Sequence, residues 1–503
     1  MFIFNNNFRI TFLLIILFEL LSLLGYLLPE FNKIGFLIIA SLALILSLIK
    51  LEYGLWMLLA ELFIGSKGYL FFFEHEGIII SIRIALWLVV MAVWLGQAIS
   101  AWIKDKKLNI EFARSPYLPY FGALFIFIGF GLISGFLNHN EFSDIFFDFN
   151  GWLYFALVFP VYSIINKTPR SSEELPKPVL SIFQIFTASI TWLCAKTFLL
   201  LFIFSHNIIG IIYELYGWTR DSGVGEITQM QGGFYRVFFQ SHIFALIGFF
   251  IFLLLILNKQ KEKQEKKLLI FCFLLLTLLL SVILISFSRS FWIGLAVGLL
   301  IYWLVNLLVY RVGWKKFFIN NGILLFSAIL SIGIIIAVVK FPYPKPIGGF
   351  SATDLLSERA GQITGEAGVS SRWSLLPELW NEIKQAPILG QGFGAAVTYK
   401  SSDPRVLQSN LDGEYTTYAF EWGWLDIWLK LGFLGMLSYL ILIGKICYDG
   451  IIQNYNAKQK IYSGLIIGLF VIAVVSIFSP YMNHPLGIGY LILASAILSP
   501  RNA

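Results

Sequence analysis

Apolar residues in this chain come in long unbroken runs. They show neither the strict alternation of half-buried strands nor the one-faced stripe of soluble helices. Fourteen runs can be read, at 9–28, 34–49, 53–65, 78–103, 118–137, 151–165, 179–205, 234–257, 268–286, 290–310, 317–339, 421–447, 461–478 and 485–499. Crossing a bilayer takes roughly 17–25 residues of helix, and the runs at 34–49, 53–65 and 485–499 are short by that measure. The first run ends in Leu28-Pro29-Glu30 without a small-residue cleavage site, so it reads as a span and not as a leader. The expected fold is an all-α polytopic transmembrane bundle of about fourteen spans. Residues 1–339 would carry about eleven of them, 340–420 one large extracytoplasmic loop with a short amphipathic helix, and 421–503 the last three.

Composition sharpens this reading. The 503 residues are 58% hydrophobic and 13% charged, against about 45–50% and about a quarter in soluble domains. A soluble enzyme, a disulfide scaffold and a disordered chain are excluded together. Cys194, Cys272 and Cys447 all fall inside apolar runs, which leaves no external disulfide framework.

The cations set the orientation. With the N-terminus in the cytoplasm and fourteen crossings, twenty-one Lys and Arg fall on the cytoplasmic side. Only Lys33, Lys67 and Arg220 lie in short external segments. Both termini are therefore expected to be cytoplasmic. The run Lys259–Lys267 reads as an inner-leaflet anchor and not as a nucleic-acid site. Five cations remain, Arg83, Lys196, Arg236, Arg289 and Lys430, all in or at the edge of the outer half of the membrane. At about 1.5 Å per residue, Arg83 would lie roughly 8 Å deep and Lys196 and Lys430 roughly 13 Å deep.

Ionisable residues in spans are costly and are usually paired, hydrated or functional. Lys430 follows Asp426 by one helical turn, Lys196 can snorkel, and Glu19 and Glu61 are candidate counter-ions in the first spans. Arg236, in Gly232-Gly-Phe-Tyr-Arg236 leading to His242, opens a span among polar residues. So does Arg289, in Ser286-Phe-Ser288-Arg289-Ser290. Cations gathered at one depth suit an anionic ligand at the outer leaflet, and guanidinium forks suit phosphate and pyrophosphate. A transporter of anions would also want them.

The loop begins with closely spaced prolines, Lys340-Phe-Pro-Tyr-Pro-Lys-Pro346, which forbid helix. Arg372 to Gln385 reads as a short helix whose Trp373, Leu376, Leu379, Trp380 and Ile383 form one apolar face, resting on the bilayer or covering the bundle. Gly390-Gln-Gly392-Phe-Gly394 is a weak dinucleotide fingerprint and reads better as a flexible loop with open backbone donors. Asp403, Asp412 and Glu414 follow; the loop has no histidine, and no metal site is expected there.

Four stretches resemble the O-antigen ligase and O-antigen polymerase family of bacterial envelope proteins. They are Gly233-Phe-Tyr-Arg236 through His242; Ser288-Arg289-Ser290-Phe-Trp-Ile-Gly294; Arg372 followed by Pro387-Ile-Leu-Gly390-Gln-Gly392-Phe-Gly394; and Glu421-Trp422-Gly-Trp-Leu425 ending at Leu431-Gly432-Phe-Leu-Gly435. The resemblance covers residues 230–450 and is only topological elsewhere. It departs at Glu421, where the family commonly has a histidine thought to act as base. A glutamate can be a general base itself, or simply a helix N-terminal carboxylate.

The resemblance implies a glycosyltransferase, ligase or polymerase, integral to the bacterial cytoplasmic membrane. The donor would be a glycan on a polyprenyl pyrophosphate and the acceptor a glycan, lipid or protein, among membrane lipids and without nucleic acid. Glu421 and Arg289 would be catalytic. Arg236, Arg372, Arg83, Lys196, Lys430 and His242 would bind substrate, with no cofactor and no metal. The competing class is a flippase or transporter of lipid-linked oligosaccharide or another anion. Against it stand one large one-sided loop and no internal repeat or paired broken helices.

Overall fold

The computed structural model describes residues 6–76, 78–106, 110–166, 175–256, 265–349, 351, 367–457 and 460–500. The helices are α1 (Asn6–Leu27), α2 (Pro29–Ile49), α3 (Leu51–Ile64), α4 (Ile82–Asp105), α5 (Leu118–Leu137), α6 (Phe142–Trp152), α7 (Val158–Ile165), α8 (Lys177–Ser205), α9 (Ile212–Asp221), α10 (His242–Ile256), α11 (Glu265–Ile285), α12 (Arg289–Leu304), α13 (Trp314–Val339), α14 (Ala367–Gln385), α15 (Pro404–Ser409), α16 (Gly423–Ala457), α17 (Lys460–Val475) and α18 (Pro485–Leu498). Three antiparallel hairpins complete the fold: β1 (Phe72–His75) with β2 (Ile78–Ser81), β3 (Gly225–Gln229) with β4 (Tyr235–Phe239), and β5 (Val397–Lys400) with β6 (Glu414–Thr417).

Every apolar run contains helix, and ten helices among the described residues are long and apolar enough to cross a membrane. The chain is a helical integral membrane protein. Burial sorts its helices by physical role. On α1, α2, α4 and α13 only 22% of the apolar window is buried, so most of each faces outward. By contrast, α10 is buried at every position but Leu255, and α18 at every position but its first. A helix apolar all round must be surrounded by others, and these two short helices, with α3, form the interior. The short runs at 53–65 and 485–499 are thus core helices, while 34–49 extends to a full 21-residue helix.

Three span boundaries differ from the sequence expectation. The run at 78–103 begins as strand β2, and helix starts only at Ile82, where Ser81 Oγ accepts from Ile84 N at 3.3 Å. The run at 234–257 begins as strand β4, and helix starts at His242. The run at 151–165 is the second half of a helical stretch from Phe142. In the first two cases Val, Ile and aromatic residues serve a strand as well as a helix, so hydropathy alone cannot place the change.

All three hairpins lie at the end of the bundle that carries the long loop. There Ser66 Oγ meets Ser241 Oγ at 3.1 Å, Ile347 N donates to Ser205 O at 3.0 Å, and Tyr481 Oη donates to Gln240 O at 3.0 Å. The loop shares a small separate core with the start of α16, formed by Leu375, Leu379, Ile383, Ala395, Val397, Phe420 and Leu429. The buried stripe of α14 is therefore Leu375, Leu379 and Ile383, spaced by four, and not the face centred on the tryptophans. Trp373 and Trp380 stay outside it.

Candidate functional site

Arg236 projects from β4, opposite Thr228 of β3, and not from the start of a helix. Its Nε donates to Ser286 O at 2.7 Å, and its guanidinium lies 5.0 Å from the Phe238 ring centre. Ser286 begins the turn that ends at Arg289, the first residue of α12. This turn passes through a left-handed residue, Phe287, at φ +43°. Ser288 makes no side-chain capping bond to the first amides of α12. Arg236 and Arg289 therefore share one short polar turn at a helix N-terminus, where the backbone itself favours an anion.

Arg372 and Glu421 form an ion pair through Arg372 Nε and Glu421 Oε2, with both side chains about half exposed. The next residue braces the pair, since Trp422 Nε1 donates to Arg372 O at 3.1 Å. The two arginine sites are connected. Trp422 packs on Phe478, with ring centres 5.8 Å apart, and the neighbouring Ser479 Oγ lies 3.3 Å from Ser290 Oγ, beside Arg289.

The other four expected site residues are engaged inside the bundle. Arg83 is clasped by Glu61, with Nε–Oε2 2.8 Å and Nη2–Oε1 3.0 Å, and its Nη1 donates to Ser66 O at 2.6 Å. Lys196 Nζ pairs with Glu19 Oε1 at 2.6 Å. Lys430 bridges Asp148 at 2.7 Å and Asp426 at 2.5 Å, and Asp426 also accepts from Asn483 Nδ2. His242 is fully buried, with Nδ1 accepting from Phe239 N at 3.3 Å and Nε2 at 2.9 Å from Thr197 Oγ1. A buried cation held by its own carboxylate is already compensated; Arg83, Lys196 and Lys430 tie helices together in this way, and His242 joins α10 to α8 through Thr197. Asp148 is missed by the sequence reading; its signal is an acid set among phenylalanines one turn after Asp144, in Asp144-Ile-Phe-Phe-Asp148-Phe.

The glycine segment is neither flexible nor open. Gly432, at φ +71° and ψ 176°, breaks α16. Gln391 N and Gly392 N donate to the carbonyls of Leu429 and Lys430, freed by the break, at 2.7 and 3.1 Å, while Phe433 N and Leu434 N donate to Pro387 O and Ile388 O at 2.9 and 3.3 Å. Phe393 N then reaches Gly131 O of α5 at 3.0 Å, and Gly394 N reaches Asp148 Oδ2 at 3.0 Å. The segment fills the break and bonds to two carbonyls and two amides freed there, as backbone inside a membrane protein must be. Its glycines are required by closeness. A Cβ on Gly392 would lie 2.1 Å from Gly135 N, and one on Gly390 2.5 Å from Gly432 N. Docking this segment also fixes α14, and with it Arg372.

Two groups near this region depart from their ordinary acidity. Burial, helped by the Asp144 and Asp148 carboxylates, pushes the Tyr418 phenol up. Burial, with Arg83 and Lys67 nearby, holds the His484 imidazole down at about 3, so it is neutral where it caps α18.

No curated protein matches this chain. Residues 274–440 match the family model described as O-Antigen ligase. That stretch contains Arg289, Arg372, Glu421, the glycine segment and the break in α16. Over that third of the chain the protein matches an O-antigen ligase-related family, and its ten apolar helices make it a membrane protein.

Proposed function

We propose that this protein transfers, or polymerises, a glycan carried on a polyprenyl pyrophosphate, at the extracytoplasmic face where the long loop lies. The observation that carries the reading is the Arg372–Glu421 pair, a positioned acid and base linked through Trp422, Phe478 and Ser479 to the turn of Arg289 and Arg236. The donor pyrophosphate would settle on the amides at the start of α12 and on Arg289 and Arg236. Arg372 would turn from Glu421 toward the incoming phosphate, freeing the carboxylate. Glu421 would then take the proton of the acceptor hydroxyl as its oxygen attacks the anomeric carbon. The bond to pyrophosphate breaks with its electron pair on the leaving oxygen, where the arginines stabilise the growing charge. Those guanidinium groups supply the positive charge that a metal ion would otherwise bring.

The acceptor is a glycan, lipid or protein hydroxyl, and the termini lie in the cytoplasm. Two measurements test the reading. Purified protein given a lipid-linked oligosaccharide should release free polyprenyl pyrophosphate, with single products for a ligase and ladders for a polymerase. Movement of the intact lipid-linked glycan across a vesicle membrane, without release, would make the protein a flippase. A reporter active only in the cytoplasm should work when fused after Lys263 and fail after Asn410; activity at Asn410 would reverse the orientation.

A further inference from the structure

Two tryptophans of α14 lie outside its buried stripe. Trp373 and Trp380 are two turns apart, about 10.5 Å along one edge of the helix, and are 52% and 39% exposed. Each meets a tryptophan of α16 edge-on. Trp373 and Trp422 have ring centres 5.5 Å apart at 65°, and Trp380 and Trp428 5.4 Å apart at 88°. The α16 rings are anchored by their indole nitrogens, Trp422 to Arg372 O at 3.1 Å and Trp428 to Pro387 O at 2.8 Å. The pairs are therefore braced from behind, and part of each α14 ring remains uncovered.

An uncovered indole has two natural partners at a membrane surface, acyl chain or sugar. The residues beside the rings decide. Lys384, one turn beyond Trp380, stands exposed on the same edge, and the Arg372–Glu421 pair adjoins Trp373. Hydrocarbon would have to desolvate these groups without replacing their hydrogen bonds. A pyranose ring does not. Its axial C–H face is apolar and slightly positive, and suits the negative face of an aromatic ring. Its equatorial hydroxyls reach outward to polar neighbours.

We infer that Trp373 and Trp380, braced by Trp422 and Trp428, form a stacking platform for consecutive pyranose rings of an uncharged oligosaccharide. The inference deepens the proposed function by naming where the glycan rests. It adjoins the Arg372–Glu421 pair, so a chain stacked on Trp373 has its end beside the proposed base.

The test uses full-length protein in lipid nanodiscs, with maltopentaose and chitopentaose as probes, titration calorimetry as the readout of affinity and tryptophan fluorescence as the check that the rings are touched. One of the two sugars should quench the wild type. The dissociation constant should rise about tenfold or more in Trp373→Ala/Trp380→Ala. Trp373→Tyr/Trp380→Tyr should recover most of the affinity, which a merely structural role would not explain. Trp314→Ala, on α13 at the opposite end and 70% exposed, serves as the control and should bind as the wild type does. No quenching by either sugar, or equal affinity in the alanine variant, overturns the platform. Quenching of these two rings by brominated acyl chains would assign the edge to lipid and also overturn it. The probes carry no pyrophosphate. Sugar binding that depends on Trp373 and Trp380 in a protein that releases no polyprenyl pyrophosphate would sink the transfer reading alone. Release with no sugar binding would sink the platform alone.

Discussion

Arg372, in the first half of α14, and Glu421, just after the loop ends, close on each other as an ion pair. Nothing local brings them together. α14 carries Arg372, the glycine segment pins the end of α14 into the break of α16, and Glu421 stands just before that same α16 begins. The pair is thus built by the docking of the loop. Half exposed, it contributes little to stability, about 0–1 kcal/mol, which leaves chemistry as the better account of its geometry.

Glu421→Gln keeps the shape and removes the base. Glycan transfer is expected to fall by about a hundredfold or more, with donor binding and thermal stability in detergent nearly unchanged. Single-turnover transfer and a donor-binding titration on the same preparation separate these effects. Normal turnover would remove Glu421 from the base role.

Arg289→Lys keeps the charge but loses the planar fork that matches a phosphate. The expectation is a loss of about 10²-fold in kcat at saturating donor. Arg236→Lys should also suffer, because the Nε bond to Ser286 O disappears with the guanidinium. Steady-state transfer kinetics over a range of lipid-linked donor concentrations would read both, and wild-type kinetics in the two variants would place the pyrophosphate elsewhere.

Lys430→Met leaves Asp148 and Asp426 facing each other in the interior with their cation gone. Removing one partner from a buried ionic cluster costs about 3–5 kcal/mol, so thermal unfolding in detergent should move down sharply. Adding Asp148→Asn and Asp426→Asn should restore much of it. A Lys430→Met protein as stable as the wild type would mean that water reaches this cluster.

Gly392→Ala tests the docking of the loop. Its Cβ would fall 2.1 Å from Gly135 N, at a backbone φ of +87° that an alanine resists. The loop cannot seat without moving α5, and folded protein in the membrane should drop steeply. Gly322→Ala in α13 is the comparison, for nothing lies within 4 Å of its added methyl; it should express normally. Equal yields from the two variants would show that the segment is not wedged against α5.

Much of this protein was legible in its sequence because the relevant information is local. A bilayer demands long apolar runs, and those runs, counted one at a time, yield the helices and their order. The resemblance of four short stretches also marked Arg289, Arg372 and Glu421 as a set. Tertiary structure decided which cations are spent. Arg83, Lys196 and Lys430 look alike with Arg236 and Arg289 in the chain, each a charge in or at the edge of a span. The first three meet Glu61, Glu19 and the Asp148–Asp426 pair on other helices or a turn away. Electrostatic compensation acts over a few ångströms of space, whereas the chain records only neighbours along itself. The same distinction separates the glycine segment from its first reading. Three glycines within five residues signal freedom in a sequence, and only the broken helix facing them turns that freedom into four backbone hydrogen bonds and a fixed place for Arg372.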